Sequence, residues 1–287
     1  MPYRQLVHEP LVRLAHFLER QFNAGEFRHG LIAWLIAVGG LVLVAAGVNA
    51  ALHAVNPLLS WLWNVAMLYL TMGFRQFSHY YTDIQLALRM GDLPHAQKLL
   101  GEWRGDAADG LSSPEIARLA IEQALSAAHR HVFGVLLCFV LLPGPCGAVL
   151  YRAAAFFADQ WGRRRDDDAG LFGLFSRRAF AVIDWLPLRI TAAGFAIVGN
   201  FEGAIYCWRT QAEQWPDDHL DCGIVLASGA GALGVRLGRP LVESGEMGAG
   251  EEADVDFMQS AVGLVWRALL LWLLLLLLLE VANLMGS

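Results

Sequence analysis

The chain has 287 residues, of which 56% are hydrophobic and 17% are charged. Soluble domains average about 25% charged residues, so the composition argues against a soluble globular protein. The formal net charge of −6 gives no basic surface for nucleic acid, and the basic run 163–165 is followed at once by the acidic run 166–168. We therefore expect no nucleic-acid partner.

Five apolar stretches predict membrane spans, because a helix needs about 20 mostly apolar residues to cross about 30 Å of hydrocarbon. In chain order they cover residues 31–55, 58–74, 132–150, 179–200 and 264–284. The last contains the uninterrupted leucine run 273–279 and carries the strongest signal. In the first, Gly39, Gly40 and Gly47 predict the close approach of a neighbouring helix.

Amphipathic helices are predicted before and between the spans. One covers residues 10–22, and others lie within residues 75–130. Asp92 and Ser112 each precede a proline and an apolar run, a pattern typical of a helix N-cap. These segments are expected to lie outside the membrane.

The third predicted span is interrupted by the Pro-Gly-Pro sequence at residues 143–145. Such a break predicts either a kinked span or two half-helices. Residues 201–260 are predicted as a mainly polar loop. The predicted fold class is therefore all-α: a polytopic transmembrane bundle of about five spans that forms one membrane-embedded domain over residues 1–287.

The fourth predicted span carries Asp184, Pro187 and Arg189. Charged residues inside a membrane are costly and usually face the protein interior or water, where they are paired. This pattern predicts a polar site that lines a cavity, with Asp184 close to Arg189. The alternative is that the segment begins near the interface, where both side chains reach water.

Cysteine and histidine spacing predicts no metal site. The four cysteines show no C-x-x-C spacing, which favours structural or free thiols. His129 and His131 are two residues apart and do not share a helical face, so they are expected to be interfacial histidines. No cofactor is indicated.

Gly229, Gly231 and Gly234 spell G-x-G-x-x-G, but no predicted strand precedes them. A dinucleotide-binding site needs that strand, so the pattern favours a small-residue helix or a phosphate-facing turn that carries Arg236.

Four stretches together resemble the CobD/CbiB family of cobalamin-biosynthesis membrane proteins and, more distantly, the AmpE family. They are residues 10–13 with 18–20, Arg75 with 91–96, 184–189, and 231–240. Residues 184–189 match the motif N/D-W-I/V-P-x-R, which AmpE proteins share. Residues 231–240 are similar to A-G-A-L-G-V-R-L-G-G-P, which favours CobD/CbiB.

The resemblance implies a multi-pass protein of the bacterial inner membrane, whose partners are the lipid bilayer, a corrinoid and a small phosphorylated amine. The implied activity joins aminopropanol phosphate, or its amine, to a carboxylate of adenosylcobyric acid through an amide bond. The implied catalytic residues are Asp184 and Glu122. The implied substrate-binding residues are Arg189, Arg236, Arg75, Asp92 and Asp159.

Within this set we expect Arg189 and Arg236 to bind the phosphate and the carboxylate, because a guanidinium offers paired donors to either anion. Asp184 would orient Arg189 or act on the amine.

Departures from the family pattern leave two interpretations open. The family's E-N-T-S-D-G stretch should follow Glu122, but this chain reads Ser-Ala-Ala-His-Arg-His over residues 126–131. The family's first apolar span also has no counterpart, as if this chain began at an internal start. One interpretation is a ligase that resembles adenosylcobinamide-phosphate synthase. The other is a non-catalytic membrane signalling or regulatory protein of the AmpE kind.

Overall fold

A computed structural model describes residues 9–22, 27–72, 74–162, 172–212, 222–238 and 250–286. The regular elements in these ranges are helical, and one isolated β-bridge joins Val235 to Glu251. The helices are α1 (Glu9–Phe22), α2 (Phe27–Trp34), α3 (Gly40–Val55), α4 (Pro57–Thr71), α5 (Phe74–Arg89), α6 (Leu93–Arg104), α7 (Ser113–Ala128), α8 (Gly134–Leu141), α9 (Cys146–Gly162), α10 (Phe172–Val198), α11 (Phe201–Gln211), α12 (Gly223–Leu233) and α13 (Val255–Gly286). π-Helical turns at Leu35–Gly39 and His129–Phe133 join α2 to α3 and α7 to α8.

Four helical stretches among the described residues are long and apolar enough to cross a membrane. They are Arg28–Val55, Ser113–Leu141, Phe172–Val198 and Val255–Asn283. The predicted all-α membrane bundle is thereby confirmed. The predicted span at 58–74 corresponds to α4, whose 15 residues extend about 22 Å at 1.5 Å per residue, less than the hydrocarbon thickness.

The second of these stretches differs in position from the span predicted at 132–150. It begins at Ser113, nineteen residues earlier in the chain, and ends at Leu141. The Pro-Gly-Pro sequence separates α8 from α9, so the chain forms two helices there. Proline lacks an N–H donor and cannot continue a helical hydrogen-bond ladder.

Both predicted N-caps are confirmed. The Asp92 carboxylate accepts a hydrogen bond from the His95 N–H at 3.2 Å. Ser112 donates its N–H and its hydroxyl to Glu115 at 2.8 and 2.7 Å, which forms a capping box at the start of α7. Each cap satisfies donors that a helix end leaves without a partner.

The predicted role of three glycines in helix packing is wrong. A methyl group added at Gly39, Gly40 or Gly47 would meet no described atom within 4 Å. Gly39 and Gly40 instead lie at the junction of the π-helical turn and α3. The close approaches in this protein involve other glycines.

The helices fall into two compact units, and α10 contributes residues up to Pro187 to the first unit and the remainder to the second. In the first unit, α9 contributes residues to two separate hydrophobic clusters. Phe157 and Trp161 pack in one cluster with residues of α1 and α2, whereas Tyr151 and Ala154 pack in another with residues of α8 and α10.

In the second unit, α7 is the central buried helix, with Ile116, Ile121 and Leu125 fully enclosed. α5 is joined to α13 by the Tyr81 hydroxyl, which donates to the Met258 carbonyl at 2.7 Å. Burial raises the pKa of Tyr81 above its ordinary value, so this donor stays protonated through the physiological pH range.

Candidate functional site

The glycine-rich stretch at 223–238 begins as helix α12, which packs closely against α11 in the second unit. A Cβ atom added to Gly231 would lie 2.1 Å from the carbonyl oxygen of Gly203, and one added to Gly203 would lie 2.6 Å from the carbonyl oxygen of Gly231. The Asn200 N–H also donates to the Ala232 carbonyl at 3.0 Å. These glycines therefore permit backbone contact between two helices, as the small-residue prediction implied.

An extended segment follows α12 and carries Arg236. Gly234 ends the helix with a φ of +69°, a left-handed conformation that favours glycine. Val235 and Leu237 are buried, with 0% and 7% of their surface exposed. Because side chains alternate along an extended chain, Arg236 points away from the face that these two residues bury.

The backbone of this segment pairs with residues 250–251. The Arg236 N–H donates to the Glu251 carbonyl at 2.8 Å, and the Glu251 N–H donates to the Gly234 carbonyl at 2.9 Å. The Arg236 guanidinium donates to the Gly250 carbonyl at 3.1 Å. These bonds hold residues 234–236 of the segment in place. Residues 239 and 240, the last two of the motif at 231–240, lie outside the described part of the chain.

Two side chains of α7 hold the end of the same segment. The Glu122 carboxylate accepts the Gly238 N–H at 2.8 Å, and the Arg118 guanidinium donates to the Gly238 carbonyl. Glu122 is 3% exposed. The structure therefore brings the predicted catalytic residue Glu122 onto the segment that carries the predicted anion-binding residue Arg236.

Arg118 was not among the residues expected from the sequence. The available signal was its position four residues before Glu122, since side chains at i and i+4 lie on one helical face. That signal alone indicates an ion pair between the two side chains. It does not indicate that both bind the backbone of a residue 116–120 positions later in the chain.

A buried polar contact links the π-helical turn that follows α7 to α10 within the second unit. His129 is completely buried, and its Nδ1 lies 3.0 Å from the Thr191 hydroxyl. The His129 ring therefore lies in the protein interior, and its position at the membrane interface stays a prediction. Arg189 lies two residues before Thr191 on α10 and is half-buried. The second unit thus contains Glu122, Arg189 and Arg236.

Asp184 lies in the first unit, where its carboxylate accepts a hydrogen bond from the Tyr151 hydroxyl at 2.7 Å. Asp184 is 3% exposed, and Tyr151 is fully buried. The Tyr151 ring meets Phe180 edge-on, with centroids 5.5 Å apart. A Cβ atom at Gly134 would lie 2.3 Å from the Tyr151 hydroxyl oxygen. A glycine at 134 is thus required to admit this tyrosine.

Sequence reasoning missed Tyr151. A tyrosine in an apolar helix usually finds a partner for its hydroxyl, which was a usable signal. The identity of the partner required the tertiary structure.

The predicted pairing of Asp184 with Arg189 remains a prediction. Both residues lie on α10, which continues through Pro187. Five residues correspond to about 500° of rotation around the helix axis. On a regular helix, the two side chains therefore point in directions about 140° apart.

The remaining predicted substrate-binding residues occupy different settings. Asp92 is exposed and caps α6, and Asp159 is exposed near the end of α9. Arg75 belongs to α5, but its side chain lies outside the described part of the structure. Asp92 therefore has a structural function, and the binding role of all three stays a prediction.

Replacing Tyr151 by phenylalanine should destabilise the first unit. The change removes the hydroxyl that Asp184 accepts, and a hydrogen bond to a charged group contributes about 1.5–3 kcal/mol. We expect the melting temperature in detergent to fall by several degrees. Tyr206→Phe is the control, because Tyr206 is 58% exposed on α11. Equal melting temperatures for the Tyr151→Phe variant and the unmodified protein would contradict this prediction.

Comparison with known proteins gives one consistent family. The sequence profile described as CobD/Cbib protein matches residues 8–272. A relative from Stutzerimonas stutzeri is 34% identical over 281 residues, which cover 93% of this chain and 90% of the relative. One from Chromobacterium violaceum is 34% identical over 222 residues, covering 75% and 70%. Both relatives are named cobalamin biosynthesis protein CobD. No solved structure matches the chain. The profile spans nearly the whole sequence, and the chain belongs to the CobD/Cbib family.

Proposed function

We propose that this chain is a membrane protein of cobalamin biosynthesis that joins a phosphorylated amine to a corrinoid carboxylate. The amine of aminopropanol phosphate and a carboxylate of adenosylcobyric acid would condense to an amide, with loss of one water. The name of the relatives supports the pathway, and it favours this proposal over an AmpE-like regulatory role.

The observation that carries the proposal is the fixed segment around Arg236. Its backbone is bound at Gly234 and Arg236 by residue 251, and at Gly238 by Glu122 and Arg118. A guanidinium on a fixed backbone loses less conformational freedom when it binds an anion, which favours affinity. Arg236 is therefore the proposed ligand of the phosphate group.

Arg189 is the proposed ligand of the corrinoid carboxylate. It is half-buried on α10, in the same unit as Arg236. Two separate cations suit a reaction whose substrates each carry an anionic group. A planar guanidinium can bind either group through two parallel hydrogen bonds.

Asp184 stays a proposed catalytic residue. A buried carboxylate can accept a proton from an ammonium and so generate the neutral amine that attacks the corrinoid carboxylate carbon. One oxygen of that carboxylate is expelled and would leave as water with the proton that Asp184 had accepted. The Tyr151 hydroxyl would hold the Asp184 Oδ1 in place. Arg75, Asp92 and Asp159 stay proposed contacts to the substrates.

The proposed location is the bacterial inner membrane, which the chain would cross several times. The four long apolar helices among the described residues support this location. The bilayer would surround α13, which exposes most of its leucine run.

The proposal is tested by complementation of a bacterial strain that lacks its cobinamide-phosphate synthase. We expect the chain to restore growth on cobyric acid. A strain that contains the protein in its membrane fraction and still fails to grow would overturn the synthase function. Immunodetection of the protein in isolated membranes separates this result from failed expression.

A further inference from the structure

We propose that Arg118 and Glu122 are positioning residues that together hold Gly238 and thereby fix the segment that carries Arg236. This inference rests on the proposed function, because it assigns these side chains a task in binding the phosphorylated amine. It also gives Glu122 a different task from proton transfer. We call the two side chains and Gly238 the Gly238 clamp.

The Gly238 clamp binds both polar backbone groups of Gly238, the N–H and the carbonyl. The Gly238 N–H points to the Glu122 carboxylate at 2.8 Å, and its carbonyl accepts from Arg118. Holding the donor and the acceptor of one residue fixes the orientation of the chain as well as its position. Gly238 has a φ of +88°, a conformation that side chains rarely adopt.

Arg236 lies between two fixed points. On one side, the segment pairs with residues 250–251, and on the other, the clamp holds Gly238 two residues beyond Arg236. Val235 and Leu237 are buried and hold the intervening backbone against the core. Opening the clamp would release one end of the segment and leave the other in place.

The burial of Glu122 supports a positioning task. A carboxylate that is 3% exposed needs hydrogen-bond donors to offset the cost of removing it from water. The Gly238 N–H supplies such a donor. One helical turn away, Arg118 adds a positive charge on the same face of α7.

A positioning role and a proton-transfer role of Glu122 predict different results for Glu122→Gln. Glutamine keeps a side-chain oxygen that can accept the Gly238 N–H, so positioning should survive. An amide has no useful basicity, so proton transfer should fail. Arg118→Lys likewise keeps a cationic donor, whereas alanine at either position removes the bond.

The first measurement is the rate at which trypsin cleaves the segment that carries Arg236 in the purified full chain. Trypsin can cleave after Arg236, and mass spectrometry of the fragments gives the rate. We expect Glu122→Ala and Arg118→Ala to accelerate this cleavage about tenfold or more, as expected for loss of a charged hydrogen bond, and Glu122→Gln and Arg118→Lys to leave it nearly unchanged. Cleavage after Arg209, which is exposed on α11, is the internal control. An unchanged rate at Arg236 in both alanine variants overturns the clamp.

The second measurement is steady-state kinetics with adenosylcobyric acid and aminopropanol phosphate. Both alanine variants should raise KM for the phosphorylated amine about tenfold or more, with a smaller change in kcat. Glu122→Gln should lower kcat/KM much less than Glu122→Ala does. A Glu122→Gln variant with normal cleavage and no activity overturns the positioning role in favour of proton transfer. If the unmodified protein forms no amide, the proposed function fails, while the cleavage rates still decide the clamp.

Discussion

Replacing Gly231 by valine should leave little or no correctly folded protein. The first added atom would lie 2.1 Å from the carbonyl oxygen of Gly203 and 2.7 Å from the backbone nitrogen of Ala204. These neighbours are backbone atoms of α11, which cannot rotate away as a side chain can. Overpacking usually costs about 1–3 kcal/mol and more where backbone must move. The measurements are the yield of monodisperse protein in detergent and its melting temperature.

Gly263→Ala is the matched control for the Gly231 variant. Gly263 is also a helical glycine of the second unit, but a Cβ atom there would meet no described atom within 4 Å. Alanine has a higher helix propensity than glycine by about 1 kcal/mol, so the control should be as stable as the unmodified protein or slightly more stable. Normal yield and stability for Gly231→Val would show that α11 and α12 do not pack as described.

Replacing Arg236 by alanine should lower kcat/KM for the phosphorylated amine by about 10²–10³-fold, if the proposed function holds. The guanidinium would supply the positive charge that binds the phosphate, and alanine leaves no substitute on the fixed segment. Steady-state kinetics should therefore be compared with aminopropanol phosphate and with aminopropanol as substrates. The variant should lose the preference for the phosphorylated amine, because the missing contact concerns the phosphate alone.

Arg267→Ala is the control for the Arg236 variant. Arg267 also donates to a backbone carbonyl, that of Gly263 at 3.2 Å, but it lies exposed on α13. Its removal should leave kcat/KM and the amine preference unchanged. If Arg236→Ala keeps the preference for the phosphorylated amine, another group binds the phosphate.

The sequence was most informative where local chemistry decides the structure. The N-caps at Asp92 and Ser112 were predictable because a cap uses residues three positions apart. The interruption at residues 143–145 was predictable because proline lacks a donor. The apolar stretches predicted the helical bundle because unpaired backbone groups are not tolerated in hydrocarbon.

The second of the four long apolar stretches contains α7 and two of its charged residues. Residues 75–130, which include Glu122 and Arg118, were predicted to form helices outside the membrane. In the structure their polar groups bind the backbone of Gly238. A local window cannot distinguish a charge that meets solvent from one that meets a distant part of the chain.

The amino-acid pattern alone was sufficient for the helical membrane class and for Arg236 as a residue of interest, because both follow from residues close together in the chain. Only the tertiary structure placed Glu122 and Arg118 on Gly238, and Tyr151 on Asp184. Those contacts join residues 33 to 120 positions apart. Their partners are set by how whole helices pack, a property that no single segment of the sequence contains.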